Sequence, residues 1–253
     1  GGTARFMLDE LRVDGMFVSS LDADAAGEEG LTYVWTPNQL REVLGDDDGR
    51  WAAEVFGVTS EGAFERGASV LQVRVDPQDS ARFERVRVAL LAARSLRPQP
   101  ARDDKVVTAW NGLTVTALVD AAVALSQSEY LSAAAHCARQ ILDLHLVQGR
   151  LRRASLGGVV GDSAAILEDH AALATGLLTL YQATAERSWL DEATALLDLA
   201  LDHFTDVERD GRRHVAVGAR VARRRVALQP EVRRAHEPRI GLDRTRPQYF
   251  GGD

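Results

Sequence analysis

The sequence has 253 residues, 45% of them hydrophobic, a formal net charge of −7 and a single cysteine, Cys137. That composition supplies a core for one large domain or two small ones, and it excludes an intramolecular disulfide or a Cys-x-x-Cys redox or zinc motif. No apolar run reaches the roughly 18 residues of a bilayer span and no basic-then-apolar leader is present, so a cytoplasmic protein with no membrane partner is expected.

In chain order, residues 14–36 read as a small β-hairpin insertion. MFVSS and LTYVW are strand-like, and the acidic, Gly-punctuated LDADAAGEEG joins them. TPNQLREVLG then carries a helix start and stop, with Thr36 to cap, Pro37 at the first position, Gln39 to close a capping box and Gly45 to end it. A short helix over 48–56, a strand over 69–75 and an Arg-rich helix over 79–96 follow. Pro98 and Pro100 make RPQPARDD a stiff connector. From Trp110 the pattern changes to paired helices. Trp110, Leu113, Leu118, Ala121, Ala122 and Leu125 share one face, and Tyr130, Ala134, Cys137, Ile141 and Leu144 share the next. Leu173, Leu177 and Tyr181, then Trp189, Ala193, Leu196, Ala200 and Phe204, repeat the arrangement. An offset of 59 aligns Tyr130 with Trp189, Leu118 with Leu177 and Leu142 with Leu201. Periodic αα-hairpins build solenoids or closed toroids, and the Gly-rich stretch 147–165 between them is expected to decorate one rim.

The expected division is a helical array over 1–211, with the β-hairpin and a helical segment in 1–100 and two αα-hairpins in 101–211. An Arg-rich tail over 212–253 has no sustained pattern. It holds 11 arginines against 4 acids, whereas residues 1–211 hold 33 acids against 19 bases. An acidic body repels nucleic acid, and the tail has no aromatics before Tyr249 and Phe250, so no nucleic-acid partner is expected.

Three constellations could carry chemistry. In the first, Asp22, Asp24, Glu28 and Glu29 crowd one hairpin. An EF-hand reading fails because its fifth and twelfth places hold Ala26 and Tyr33, so no metal is expected. A cation, a nearby arginine or solvation would each offset the repulsion, with a substrate or metal role ranked last. In the second, DDKVVTAWNGL, Asp103 and Asp104 precede a helix, where acids complement the positive helix end. Lys105, Trp110 and Asn111 arrive with them, and an indole face beside amides and carboxylates suits a sugar-like ring as well as it suits a core. In the third, LEDH, Glu168, Asp169 and His170 stand at the repeat-equivalent helix start. Asp103, Asp104, Glu168 and Asp169 are therefore the candidate catalytic acids, because paired carboxylates carry out glycoside cleavage. Asp22, Asp24, Glu28, Glu29, Lys105, Trp110 and Asn111 are the candidate ligand contacts. No P-loop, G-x-G-x-x-G or Ser-His-Asp order occurs, and no cofactor is expected.

GMFVSSLDADAAGEEGLTYVWTPNQLREVLG, RDDKVVTAWNGL and AILEDHAALATGLLTLYQAT, in that order, resemble the thioredoxin domain-containing family of YyaL-like and spermatogenesis-associated protein 20-like proteins. The resemblance covers residues 1–211. It implies a mainly α fold, a partial (α/α)6 toroid akin to six-hairpin glycosidases and N-acylglucosamine 2-epimerases. On this reading the chain, which starts at Gly1, is an internal piece whose missing thioredoxin-like domain is a partner. The recurrent family positions are Asp22, Asp24, Glu28, Glu29, Gly30, Asp103, Asp104, Lys105, Trp110, Asn111, Gly112, Glu168 and Asp169. The sequence departs from the family at Ala63, Thr114 and His170, and it leaves the pattern near Gly211, where a frameshifted, disordered tail is expected. The family implies a carbohydrate-enzyme-like domain that binds or processes a sugar-like ligand. A non-catalytic scaffold is the alternative, and whether the chain is an enzyme is left open.

Overall fold

The computed structural model describes residues 1–207 and 213–215, within a chain that forms two compact units: residues 1–17 with 106 onward, and residues 18–105. The expectations for the tail, apart from a strand at Arg213–Val215, lie outside the described residues. The chain is mainly α-helical. Its described helices are α1 (Gly2–Glu10), α2 (Pro37–Val55), α3 (Ser80–Ser95), α4 (Thr108–Leu125), α5 (Ser128–His145), α6 (Leu167–Thr184) and α7 (Arg187–Phe204).

In the first unit, every bound of α6 and α7 is that of α4 or α5 moved by 59 residues, the spacing the apolar pattern predicts. The turns inside both hairpins pass through left-handed residues at equivalent places, Ser126 (φ 54°) and Ala185 (φ 56°). An antiparallel ribbon follows each hairpin, Leu146–Val147 with Arg150–Leu151 and Thr205–Val207 with Arg213–Val215. The ribbon after α1, Arg12–Val13 with Met16–Phe17, matches the ribbon after α5 residue for residue, and α1 ends one residue earlier than α5 does. The match includes the positive-φ turns Asp14–Gly15 and Gln148–Gly149. Arg5 of α1 reaches Glu129 in the first turn of α5 at 2.9 Å, much as Arg139 of α5 reaches Glu186 at the start of α7 at 3.4 Å. α1 thus occupies the place of α5 in a further, partial copy of the repeat.

The core of this unit is a crossing of α4 and α6 at backbone distance. A Cβ on Gly112 would lie 2.5 Å from the carbonyl carbon of Ala172 and the nitrogen of Leu173, and one on Gly176 would lie 2.8 Å from the carbonyl oxygen of Gly112. Only glycine permits that approach, which explains why a poor helix former stands in each helix. Val115, Leu118, Leu173 and Leu177 are buried around the crossing, with α5 packed on α4 and α7 on α6. α4 is itself 18 residues long and apolar enough to cross a membrane, contrary to the expectation from the sequence, and half of it is buried within the hairpin packing.

In the second unit, α2 and α3 enclose Trp35, Leu40, Ala52, Phe56, Val58, Val86 and Leu90. The Thr36–Gln39 capping box forms, and Gly45 (φ 80°) breaks α2 into the two helices the sequence predicts. The expected 14–36 hairpin does not form. Met16–Phe17 pairs with Arg12–Val13, and Val34–Trp35 pairs with Ser69–Val70. Alternation fixes which residues can be strands but not which strand is the partner. The strand expected over 69–75 shortens to Ser69–Val70, and Val73 and Val75 beyond it are exposed.

Candidate functional site

RDDK, in the second unit, is extended backbone, where residues two apart share a face. The four charges therefore cancel as two pairs: Arg102 Nε with Asp104 Oδ1 at 2.5 Å, and Lys105 Nζ with Asp103 Oδ2 at 3.0 Å. The hydrogen bond from Lys105 holds the Asp103 carboxyl below the usual carboxylate range. Neither acid caps α4, because Asp103 sits in a strand paired with Ser20–Leu21. In the same unit the acidic loop is a tight hairpin of Asp24–Ala25 and Glu28–Glu29. Ala26 (φ 52°) and Gly27 (φ 79°) supply the left-handed turn that matches strand twist. This register sets Asp24 opposite Glu29, a like-charge pair, while Glu28 binds Arg66 at 2.6 Å. Among the described residues, Asp22, Asp24 and Glu29 have no ion-pair partner, and no group of three or more His, Cys, Asp or Glu could hold a metal ion.

In the first unit, TAWNG can be read residue by residue. Thr108 is buried and donates its hydroxyl hydrogen to the Arg152 carbonyl at 2.7 Å, so its oxygen accepts from His145 Nδ1 at 2.6 Å. The other ring nitrogen, Nε2, then accepts from Ser155 Oγ at 2.9 Å. A neutral ring satisfies this network. Burial also pushes the His145 pKa down to about 4, against a smaller opposing pull from Asp169. The Ala109 N–H, unpaired within its own helix, donates to Asp169 Oδ1 at 3.1 Å. Asp169 Oδ2 accepts from Ile166 N at 2.9 Å and from Arg153 at 3.3 Å, and its side chain is fully buried. One carboxylate therefore caps two adjacent helices.

Asn111 is equally engaged. Its Nδ2 donates to the carbonyls of Phe17 (2.8 Å) and Val107 (3.0 Å), and its Oδ1 accepts from Phe17 N (2.8 Å) and the Cys137 thiol (3.2 Å). All four hydrogen-bonding capacities of the amide are used within the protein. Burial raises the Cys137 thiol to about 12, so it stays protonated as a donor.

Two groups at these helix starts face outward, Trp110 (50% exposed) and the Glu168 carboxylate. Ile166 and Leu113 are exposed beside them in sequence. A cavity of about 100 Å³ lies where the repeat loses a clamp: His170 replaces the Asn111 equivalent, and Leu151 and Arg150 of the ribbon line the space with Phe204 and His203. His170 turns its Nδ1–H back to the Ile166 carbonyl at 3.0 Å instead. The sequence reading missed Thr108, His145 and Ser155; the only sign of them was polar residues at positions that the helical period makes internal.

The chain is similar to known proteins over most of its length. The chain is 31% identical to human spermatogenesis-associated protein 20 over 243 residues, 78% of the chain and 31% of that protein. The mouse protein is 32% identical over the same coverage, and an uncharacterized Caenorhabditis elegans protein is 29% identical over 72% of the chain. The chain belongs to the spermatogenesis-associated protein 20 family. It spans 31% of the length of these relatives, and no protein-family model matches it. For this member of the family, the geometry divides the recurrent string in two. Asn111, Gly112 and Asp169 join elements of the array, and Trp110 remains open to solvent.

Proposed function

We propose that the hairpins belong to an (α/α)6 toroid of carbohydrate-enzyme type, and that the paired starts of α4 and α6 hold a sugar-like ligand without cleaving it. The observation that carries this reading is the half-exposed Trp110 indole, on a helix start whose other polar groups are internally satisfied. An exposed indole face stacks on the C–H face of a pyranose ring, and an exposed carboxylate such as Glu168 at the start of α6 is free to accept from sugar hydroxyls. Glycoside cleavage needs two available carboxyls. In this unit Asp169 already accepts three N–H bonds, which favours binding over hydrolysis. In the second unit, taken by itself, Asp22, Asp24, Glu28, Glu29, Asp103, Asp104 and Lys105 are a separate set of candidate ligand contacts. A docking scaffold is the second reading, favoured by the extension of the apolar exposure from Trp110 to Leu113.

The test is a thermal-shift and glycan-array screen of the chain. Stabilisation by a sugar that Trp110→Ala and Glu168→Gln both abolish is the expected result. Stabilisation unchanged by either substitution, or none with any glycan, overturns the reading.

A further inference from the structure

The cavity of about 100 Å³ beside the second ribbon lies within the first unit. The ribbon lines it with Arg150 and Leu151, α6 with His170, and the end of α7 with Leu199, His203 and Phe204. None of the described residues that line it is acidic, and those that are not basic carry no polar side chain. The repeat shows that such a space is not a gap every hairpin leaves. At the equivalent place in the first hairpin the Asn111 amide bonds both backbone groups of Phe17 and accepts from the Cys137 thiol. In the second, His170 stands at the Asn111 position and Leu151 at that of Phe17. The Leu151 carbonyl accepts from the Ala165 N–H at 3.0 Å, so the ribbon is held there without a side-chain clamp.

The polar groups left to the cavity define what it takes. His170 is only 5% exposed. Its Nδ1–H donates to the Ile166 carbonyl at 3.0 Å, which leaves Nε2 as a lone-pair acceptor with no partner among the described residues. The ring stands edge-on to Phe204, with centroids 5.6 Å apart and planes at 72°. His203, exposed at the rim, is arranged alike, its Nδ1–H donating to the Leu199 carbonyl at 2.8 Å. Arg150 is exposed and has no ion-pair partner among the described residues. Two imidazole lone pairs alone would suit a transition metal. A guanidinium on the same cavity, with no carboxylate to balance it, repels a cation and attracts an anion. Because the buried Nε2 accepts, the anion that fits brings a hydrogen-bond donor of its own. A cavity of about 150 Å³ holds benzene, so this smaller one takes a short aliphatic body rather than a ring.

We infer that this cavity binds a short-chain hydroxy acid. The carboxylate pairs with Arg150, the hydroxyl donates to His170 Nε2, and the hydrocarbon packs on Leu151, Leu199 and Phe204. Trp110 and Glu168 are not among the walls, so the inference stands apart from the sugar reading.

The test is a titration of the chain with 3-hydroxybutyrate at pH 7, read by NMR on the imidazole C–H resonances. Those of His170 are assigned by their loss in His170→Gln. A saturable shift of the His170 resonances is expected, with a Kd of about 1 mM, within reach of a ligand of about seven non-hydrogen atoms. Butyrate, which lacks the hydroxyl, and 3-hydroxybutanamide, which lacks the charge, should each bind about fivefold or more weakly. Arg150→Gln, exposed, should keep its circular dichroism spectrum and bind acid and amide equally. His170→Gln, followed by calorimetry, should lose the preference for the hydroxy acid over butyrate; where that variant fails to fold, Arg150→Gln decides. Absence of a saturable shift up to about 20 mM overturns the inference, and so does an acid-over-amide preference that survives Arg150→Gln. Zinc chloride or inorganic phosphate shifting the His170 resonances where 3-hydroxybutyrate does not would mark a cation or bare-anion site and overturn it too. Trp110→Ala should leave this binding unchanged, so failure here and failure of the sugar reading are told apart.

Discussion

Gly112→Ala tests whether α4 and α6 truly meet backbone to backbone. The added Cβ would lie 2.5 Å from two backbone atoms of Ala172 and Leu173, and ordinary contact begins near 3.4 Å, so the helices would have to part by about 0.9 Å. Backbone cannot rotate away as a side chain can. A gap of that size forfeits a quarter to a half of the dispersion energy across the crossing, where Val115, Leu118, Leu173 and Leu177 are all buried. Overpacking of this kind costs about 3 kcal/mol, at the upper end of its usual range. Replacing glycine by alanine inside a helix returns about 1 kcal/mol. The expected net loss is about 2 kcal/mol, a fall in melting temperature of about 4–8 °C for a unit of this size. Differential scanning calorimetry and urea titration read it directly. A Gly112→Ala protein as stable as the parent, or more stable, would show that propensity outweighs contact and that the crossing is looser than 2.5 Å implies.

Asp169→Asn should lower stability by about 2–4 kcal/mol, because an amide cannot accept all three N–H bonds at a buried site; Glu168→Gln, exposed, should leave the melting temperature unchanged in the same scan. Folded His145 has a pKa near 4 against an ordinary 6.5, so the unfolded chain holds the extra proton between those values. Stability should therefore be complete above about pH 6.5 and decline by up to about 3 kcal/mol as pH falls towards 4. His145→Gln should flatten the pH 6.5–5 portion of a urea-midpoint profile. The Cys137 thiol, buried and held near 12, should react with a thiol reagent only as fast as the first unit unfolds; labelling in native buffer at the rate of a free thiol would contradict the packing of α5 on α4. Asn111→Ala leaves both the N–H and the carbonyl of Phe17 without their amide partner, and should cost about 2–3 kcal/mol in the same urea titration.

The hairpins were legible because a helix buried on one side writes its period into the sequence, and a repeat writes it twice. Matching Tyr130 to Trp189 was enough to recognise two helix pairs 59 residues apart, the spacing that their bounds repeat. The helix signals at Thr36, Pro37, Gln39 and Gly45 are local and came out equally well. Pairing across distance was not legible. Nothing in MFVSS says that Phe17 will bond to an asparagine 94 residues away, and nothing in DDK says that its acids will pair with Arg102 and Lys105 rather than cap a helix. The candidate site suffered most from this. Residue type flagged Asn111 and Asp169 as ligand-like because they are polar at a helix start. What they do depends on which buried N–H groups converge on them, a property of the packed array rather than of the string.

The repeat explains why a side-chain amide ties the ribbon to the inner helix in the first hairpin and, among the described residues, none does so in the second. Between ribbon and inner helix the second repeat runs only from Leu151 to Leu167, and the short connection holds α6 to its ribbon. In the first repeat the same connection is interrupted by residues 18–105, a unit with its own core. Such an excursion costs little closure entropy for its length, but it removes the covalent tether that fixes ribbon to helix. Asn111 replaces the tether: its amide bonds both backbone groups of Phe17, the last residue before the excursion, from the first turn of the helix that follows it. Within the inserted unit Ser20–Leu21 pairs with Arg102–Asp103, closing that unit on itself. At the equivalent position of the uninterrupted repeat stands His170, which bonds its own helix and leaves a cavity beside the ribbon. A staple is present where the chain is broken and absent where it is continuous, so the polar part of TAWNG follows from the insertion. Of that string, only Trp110 still calls for a binding partner to explain it.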